Sequence, residues 1–388
     1  MTTTERTGPL AGVRVVELVG IGPGPFAGML LADLGADVIR VDRPGGNALQ
    51  VSVPEKDILS RGRPSVAVNI KDPRGVEVVL QLVEKADVLI EGFRPGVTER
   101  LGLGPDDCFA RNPKLVYGRM TGWGQHGPLA HTAGHDINYI SIAGALDTMG
   151  RAGGPPQIPL NLLGDFAGGS MYLVTGVLAA LLHAKSTGQG QVVDAAITDG
   201  VAHLLAMPIG MMQVGSWNAA RGTNLLDSGA PVYDVYETSD GRWMSVGPLE
   251  PQFYDAMEVV LKAAIPGLEL PSRWELEEWP ALKKALDEAF RTKTQAEWTA
   301  LFDGTDSCVA PVVPIDEAAA HPHNVARGTY VEHDGLVQPA PAPRFSETPA
   351  NLTTSPVKAG TNTAEALAAW GIPDIDSLLA DGIAVQAD

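Results

Sequence analysis

Short apolar runs alternate with amphipathic stretches over the first half of the chain. VRVVELV (Val13–Val19) is a β-branched run closed by Gly20, and GPGPFAGMLLADLGA after it reads as a turn and a helix stopping at Gly35. DVIRVDRP and SVAVNI are the next two strands. Asp72 followed by Pro73 marks an N-cap with proline at the first helical position, opening a helix to about Ala86. DVLIEGF and KLVYGRM add two strands with a short helix between them. This βαβ rhythm predicts a parallel, doubly wound sheet. A long apolar helix, about Phe166 to His183, then leads through STGQGQ into VVDAAI.

Beyond that point the period changes. PVYDVYETSDGRWMSVG holds two alternating strands around Asp240-Gly241, a hairpin signal, and helical patterns follow in LEEWPALKKALDEAFRT and QAEWTALFDG. The expected fold class is α/β: a Rossmann-like large domain over residues 1–224 and a smaller α+β domain over 225–325. The C-terminal segment, 326–388, is expected to return to the large domain or to a partner, its proline-rich QPAPAPRFSETPA running extended as a strap. No internal repeat is visible.

Composition narrows the class. The 388 residues are 45% hydrophobic, enough for more than one core. No run of about 18 consecutive apolar residues occurs, so no membrane span is expected. MTTTERTGPLAG lacks the apolar stretch of a secretory signal. Two cysteines, Cys108 and Cys308, make no disulfide framework. A cytoplasmic protein with reduced thiols is the expectation. The formal charge of −18 is uneven: residues 1–120 carry 15 basic and 15 acidic side chains, the remainder 13 and 31. An acidic surface repels polyanions, which disfavours nucleic acid, while the balanced first third is where a smaller anion would bind.

Five cations stand at the ends of the predicted strands or beyond them: Arg40 and Arg43 at the end of the second, Lys71 after the third, Arg94 and Arg100 after the fourth. Carboxyl ends of strands line the ligand crevice of such sheets, so these residues are either a phosphate site or scattered solvated charges. GIGPGP, with Asp42 some twenty residues on, has Pro25 where a dinucleotide fingerprint needs its third glycine. What remains is a tight turn that lets something approach the backbone. GGSMY has Tyr172 where a serine-hydrolase elbow needs glycine. His131 with His135, or His321 with His323, lack further ligands at diagnostic spacing, so no metal is expected.

Three acid–base candidates stand at element ends: His135 with Asp136 in AGHDINYIS, Asp165 in NLLGDFAGG, and Glu250 in VGPLEPQFY. Helix capping accounts for Asp136 and Asp165 taken alone. It accounts less well for His135, a poor N-cap residue whose imidazole titrates near neutrality.

GPLAGVRVVELVGIGPGPFAGMLLADLGADVIRVDRP, ADVLIEGFRPGVTERLGLG, MTGWGQHGP, AGHDINYIS, NLLGDFAGGS, GQGQVVDAAITDG and APVYDVYETSDGRWMSVGPLEPQFY together resemble the α-methylacyl-CoA racemases, within the family III CoA transferases. The likeness runs from about Pro9 to Tyr254 and more loosely to APRFS. The loop from about Gly45 to Ser60 carries no transferable motif. The resemblance implies a Rossmann-like large domain, a small domain and an interlocked homodimer. It implies His135, assisted by Glu250, and Asp165 from the opposite side as proton-transfer groups. Asp136 would mainly cap its helix, its N–H facing the enolate oxygen. Coenzyme A contacts would fall on Arg43, Lys71 and Arg100, with Arg94, Ile21, Tyr139 and Asp199 as weaker candidates.

The chemistry implied is inversion at the carbon beside a thioester carbonyl: one group removes the α-proton and a second returns a proton to the opposite face. Such a reaction uses an acyl-CoA thioester as substrate and no separate cofactor. Met207, Met211 and Met212 would carry the acyl chain unless they pack in a core. Branched fatty acyl, sterol side-chain and 2-arylpropionyl esters are all compatible with that surface. A CoA transferase would instead use Asp165 as nucleophile. A CoA-ester binding or scaffolding protein would need none of the three acid–base groups.

Overall fold

A computed structural model describes residues 6–18, 20–46 and 53–387. Val19 and much of the loop that follows Gly45 therefore lie outside the described residues. The chain forms two compact units: Met1–Ala143 with Leu160–Leu204 and Val325–Asp388, and Gly144–Pro159 with Leu205–Asn324.

The first unit is built on β1 (Arg14–Leu18), β2 (Asp37–Asp42), β3 (Ser65–Val68), β4 (Val88–Glu91), β5 (Val116–Thr121) and β6 (Gln191–Ala196). They pair in parallel in the order β3-β2-β1-β4-β5-β6, and the C-terminal Ala384–Val385 adds an antiparallel strand beside β3. This is the doubly wound order, whose switch point lies between β1 and β4. The central strands are buried on both faces, so they read as apolar runs without alternation.

Helices α1 (Pro23–Asp33), α2 (Pro73–Val83), α3 (Val97–Leu101), α4 (Pro105–Arg111) and α5 (Asp136–Ile142) follow in chain order. Asp72 caps α2 as expected, accepting from the Arg74 N–H at 2.9 Å. A π-helical turn, Leu162–Ser170, runs straight into α6 (Met171–Thr187), and α7 (Ile197–Leu204) packs on that turn. Close approach there depends on glycine: a methyl at Gly200 would collide with the Gly168 carbonyl.

The C-terminal segment completes this core. Leu367, Trp370 and Leu378 are buried with Val78, Val79 and Leu82 of α2. Arg14 lies over the Trp370 ring, 4.9 Å from its centre.

The second unit carries α8 (Ala206–Gln213), the β7 (Asp234–Glu237) and β8 (Trp243–Val246) hairpin, α9 (Pro251–Ala264), α10 (Trp279–Phe290), α11 (Gln295–Phe302) and β9 (Val309–Pro311). Tyr236, Met244, Met257, Leu286, Phe290 and Trp298 form its core. The unit starts earlier than the change of period at 225. Residues 144–159 and 205–224 belong to it, tied by Arg221 to the Asp147 carboxylate at 2.8 Å and by Arg151 to buried Asp234. These are long-range polar contacts, and no local period announces them.

Among the described residues one continuous helix, Leu162–Thr187 (26 residues), is long and apolar enough to cross a membrane. A search for strictly apolar runs passes over it because Asp165 and the glycines interrupt the count. One face of it is buried on the sheet, where Leu173 and Val177 lie against Gly118.

Beneath the sheet four charged side chains are buried together. Arg63 pairs with Glu17, and Arg40 with Asp42 at 2.7 Å; Asp42 also accepts from Ser65. Burial pushes the Glu17 carboxyl upward, against the pull of Arg63. Gly28 of α1 packs directly on the Glu17–Arg63 pair. Gly28→Ala is expected to destabilise the protein by about 2 kcal/mol or more, read as a lowered denaturant midpoint, because the added methyl overlaps a buried ion pair.

Candidate active site

In the first unit, the carboxyl ends of the parallel strands open into a cavity of about 620 Å³. Leu18 from β1, Val41–Pro44 at the end of β2, Val68–Lys71 at the end of β3, and Phe93, Val97, Arg100 and Leu101 beyond β4 form much of its wall. Arg43, Lys71 and Arg100 thus converge on one space whose remaining wall is mainly apolar. That arrangement suits a ligand with several phosphates and an apolar or aromatic part. Arg40 does not join them. It is 1% exposed and committed to Asp42 and to the Val357 carbonyl at 3.2 Å. Asp42 also reaches the cavity wall, but one of its carboxylate oxygens is already held by Arg40 and Ser65.

Arg94, Tyr139, Ile21 and Asp199 do not line the cavity. Arg94 lies on the exposed β4–α3 loop, within electrostatic range of Tyr139. The Tyr139 hydroxyl donates to the Gly134 carbonyl, and its ring meets Trp123 edge-on at 4.7 Å, bracing the loop ahead of His135. Ile21 is 55% exposed in the turn before α1, and Asp199 is exposed on α7.

His135 occupies the N-cap position of α5. Its extended backbone (φ −130°, ψ 174°) sends its own N–H to the Asn138 side chain at 3.0 Å, and the imidazole is exposed. Asp136 is not the cap of its own helix. Its buried carboxylate reaches across to the π-helical turn, accepting the Asp165 N–H at 2.7 Å and bonding the Gly164 backbone. The helix-start expectation for Asp136 is therefore corrected: it caps a neighbouring turn. Gly164 has to be glycine, since a methyl there would overlap that carboxylate.

Asp165 is the fourth residue of the π-helical turn, not an N-cap. The wide turn, an arrangement common at functional sites, holds its carboxyl under Gly22. A methyl at Gly22 would stand 2.8 Å from an Asp165 oxygen, so the approach permitted by the GIGPGP turn is that of a carboxyl group. Asn161 donates to Asp165 at 3.2 Å, and Phe26 stacks on Phe166 at 4.5 Å, fixing α1 against the turn. Burial raises the Asp165 carboxyl above the usual carboxylate range; Asn161 and His135 oppose that and Asp136 adds to it. Asp136 is raised by burial as well.

Glu250 stands in the second unit at the N-cap position of α9. Its side chain makes no cap bond and is exposed. Met207 and Met212 on α8 are about half exposed, and no residue of that helix is buried, so core packing does not account for this methionine group.

Gly22, Asn161 and Phe93 escaped the reading by motif. Asn161, four residues before Asp165 in NLLGD, was the most legible of these. Phe93 and Gly22 acquire their roles through long-range packing alone.

The family model of CoA-transferase family III matches residues 10–363. The chain belongs to that family. It is 45% identical to human α-methylacyl-CoA racemase over 343 residues, covering 88% of this chain and 87% of the relative. It is 30% identical to acetyl-CoA:oxalate CoA-transferase of Acetobacter aceti, over 87% of this chain and 89% of that protein. A CAIB/BAIF family protein from Brucella suis has the same fold, with a TM-score of 0.81 at 27% identity over 94% of this chain and all of that one.

The two raised carboxyls have a consequence for stability. A carboxyl raised by burial binds its proton more tightly folded than unfolded, so stability falls as pH climbs from the unfolded carboxylate range near 4 through the folded value. Asp165→Asn is expected to raise the melting temperature by a few degrees at pH 7 and to lose that gain at pH 4. Scanning calorimetry at the two pH values measures it.

Proposed function

We propose that this chain is an isomerase of the α-methylacyl-CoA racemase type, interconverting the 2R and 2S forms of a 2-methylacyl-CoA thioester through an enolate. The observation that carries this reading is the joining, within one unit, of a half-buried Asp165 carboxyl, seated against Gly22 and raised in proton affinity, and an exposed His135 imidazole within electrostatic range of it. The family relationship supports an acyl-CoA substrate.

Two-base proton transfer needs paired protonation states. With neutral His135 taking the α-proton, Asp165 must hold a proton to return to the opposite face. In the other direction the carboxylate takes the proton and the imidazolium gives it. Raised proton affinity at Asp165 favours its acid form, the state the first of these directions needs. The Asp136 N–H, at the start of α5, is the proposed donor to the enolate oxygen. Support of the charged form of His135 by Glu250 is proposed from the sequence motif. Arg43, Lys71 and Arg100 are proposed to hold the phosphates of coenzyme A, and the exposed methionines of α8 to carry the acyl chain. No cofactor beyond the substrate's own coenzyme A enters this scheme.

A homodimer is also proposed. Leu162, Met171 and Leu182 stand 56%, 45% and 72% exposed along one continuous helix, apolar surface that a soluble partner face would cover.

In heavy water, either epimer of a 2-methylacyl-CoA is expected to take up deuterium at C2. Asp165→Asn and His135→Ala should each slow this by about 10²–10⁴-fold. Absence of exchange with every 2-methylacyl-CoA tried would refute the proposal. CoA transfer is the competing reading, favoured by the transferase relatives at 30% identity. Hydroxylamine capture of an acyl-aspartyl enzyme at Asp165 would establish it.

Lys71→Ala and Arg43→Ala are each expected to weaken binding of free coenzyme A by roughly tenfold, less at high salt. Titration calorimetry at two ionic strengths would read both effects.

A further inference from the structure

Arg119 lies on β5, away from the cavity wall, and is almost fully buried. Its guanidinium joins two carboxylates on different elements. Nε donates to Glu91 at the end of β4 at 2.8 Å, and Nη1 donates to Glu99 of α3 at 2.8 Å. Nη2 reaches Glu99 at 3.3 Å and the Thr98 hydroxyl at 3.4 Å. The other Glu91 oxygen accepts the Phe93 N–H at 2.7 Å. The bridge thus ties the end of β4 to the loop and short helix that supply Phe93, Val97, Arg100 and Leu101 to the cavity.

Apart from buried Thr98, α3 has little else to hold it. It has five residues between two glycines in left-handed conformation, Gly96 (φ 77°) and Gly102 (φ 75°), and neither end has a side-chain cap. A helix this short does not hold itself. Arg100 follows Glu99 directly, so whatever fixes Glu99 fixes where the Arg100 backbone stands.

We infer that Arg119 is a positioning residue for ligand binding: by bridging Glu91 and Glu99 it sets the placement of Arg100 and Phe93 in the cavity wall. The inference rests on the cavity being the coenzyme A site proposed above. A lysine keeps the charge but not the planar fork that spans two carboxylates, so it is a poor replacement. Glu99 is half-exposed at its side chain, and Glu99→Gln removes one arm of the bridge with little risk to folding.

The test is calorimetric titration of free coenzyme A into the full-length protein, with far-ultraviolet circular dichroism and thermal melting as folding controls. Arg119→Lys is expected to weaken binding by about tenfold and Glu99→Gln by about threefold, misplacement of a binding group being costly. In an Arg100→Ala background Glu99→Gln should have no further effect, because Glu99 acts through Arg100. Folded Glu99→Gln or Arg119→Lys protein that binds as tightly as the unaltered chain, while Lys71→Ala binds more weakly, would overturn the inference. So would full additivity of Glu99→Gln with Arg100→Ala. Failure of the unaltered protein to bind coenzyme A would instead refute the proposed site itself. If Arg119→Lys does not fold, the Glu99→Gln series decides alone.

Discussion

A parallel sheet brings the carboxyl ends of all its strands to one edge, and the first unit is organised by what gathers there. The strand order turns at β1 and β4, so the chain leaves the sheet in opposite directions on either side of that point. The loops cannot close over the gap. Arg43, Lys71 and Arg100 come from three different crossovers and meet in the cavity only because the sheet aligns them.

The acid–base groups depend on a second constraint, the lack of local hydrogen-bond partners at the start of a helical turn. The π-helical turn at Leu162–Ser170 receives Asp136 from another helix at its free N–H groups, and Ser170 donates to the Asp165 carbonyl from within. Glycines at 22, 164, 168 and 200 allow the neighbouring elements to come that close. One carboxylate therefore holds the backbone of another acidic residue, and its charge adds to the upward push that burial gives the Asp165 carboxyl.

Charge in this unit divides by burial. Arg40, Arg61 and Arg63 are committed to Asp42, Asp33 and Glu17 in the interior, where an unpaired guanidinium is prohibitively costly. The cations left to face the cavity lie past the strand ends: Arg43 and Lys71 in the loops directly after β2 and β3, Arg100 on α3. Arg40 and Arg43 differ by three positions and have opposite fates, since one lies inside the strand and the other past its end.

The sequence by itself determined the order of strands and helices in the first half, because apolar period and cap residues are local properties. It also carried the family, through contiguous motifs, and so named His135, Asp165, Glu250 and most of the cations. Only the tertiary structure decided which of those cations share a cavity, that Asp136 serves the turn of Asp165 and not its own helix, and that residues 144–159 and 205–224 join the second unit. Each of these follows from contacts between residues far apart in the chain. A side chain's type and neighbours in sequence record its chemistry, but the partner that claims its hydrogen bonds is chosen only when packing brings distant segments together.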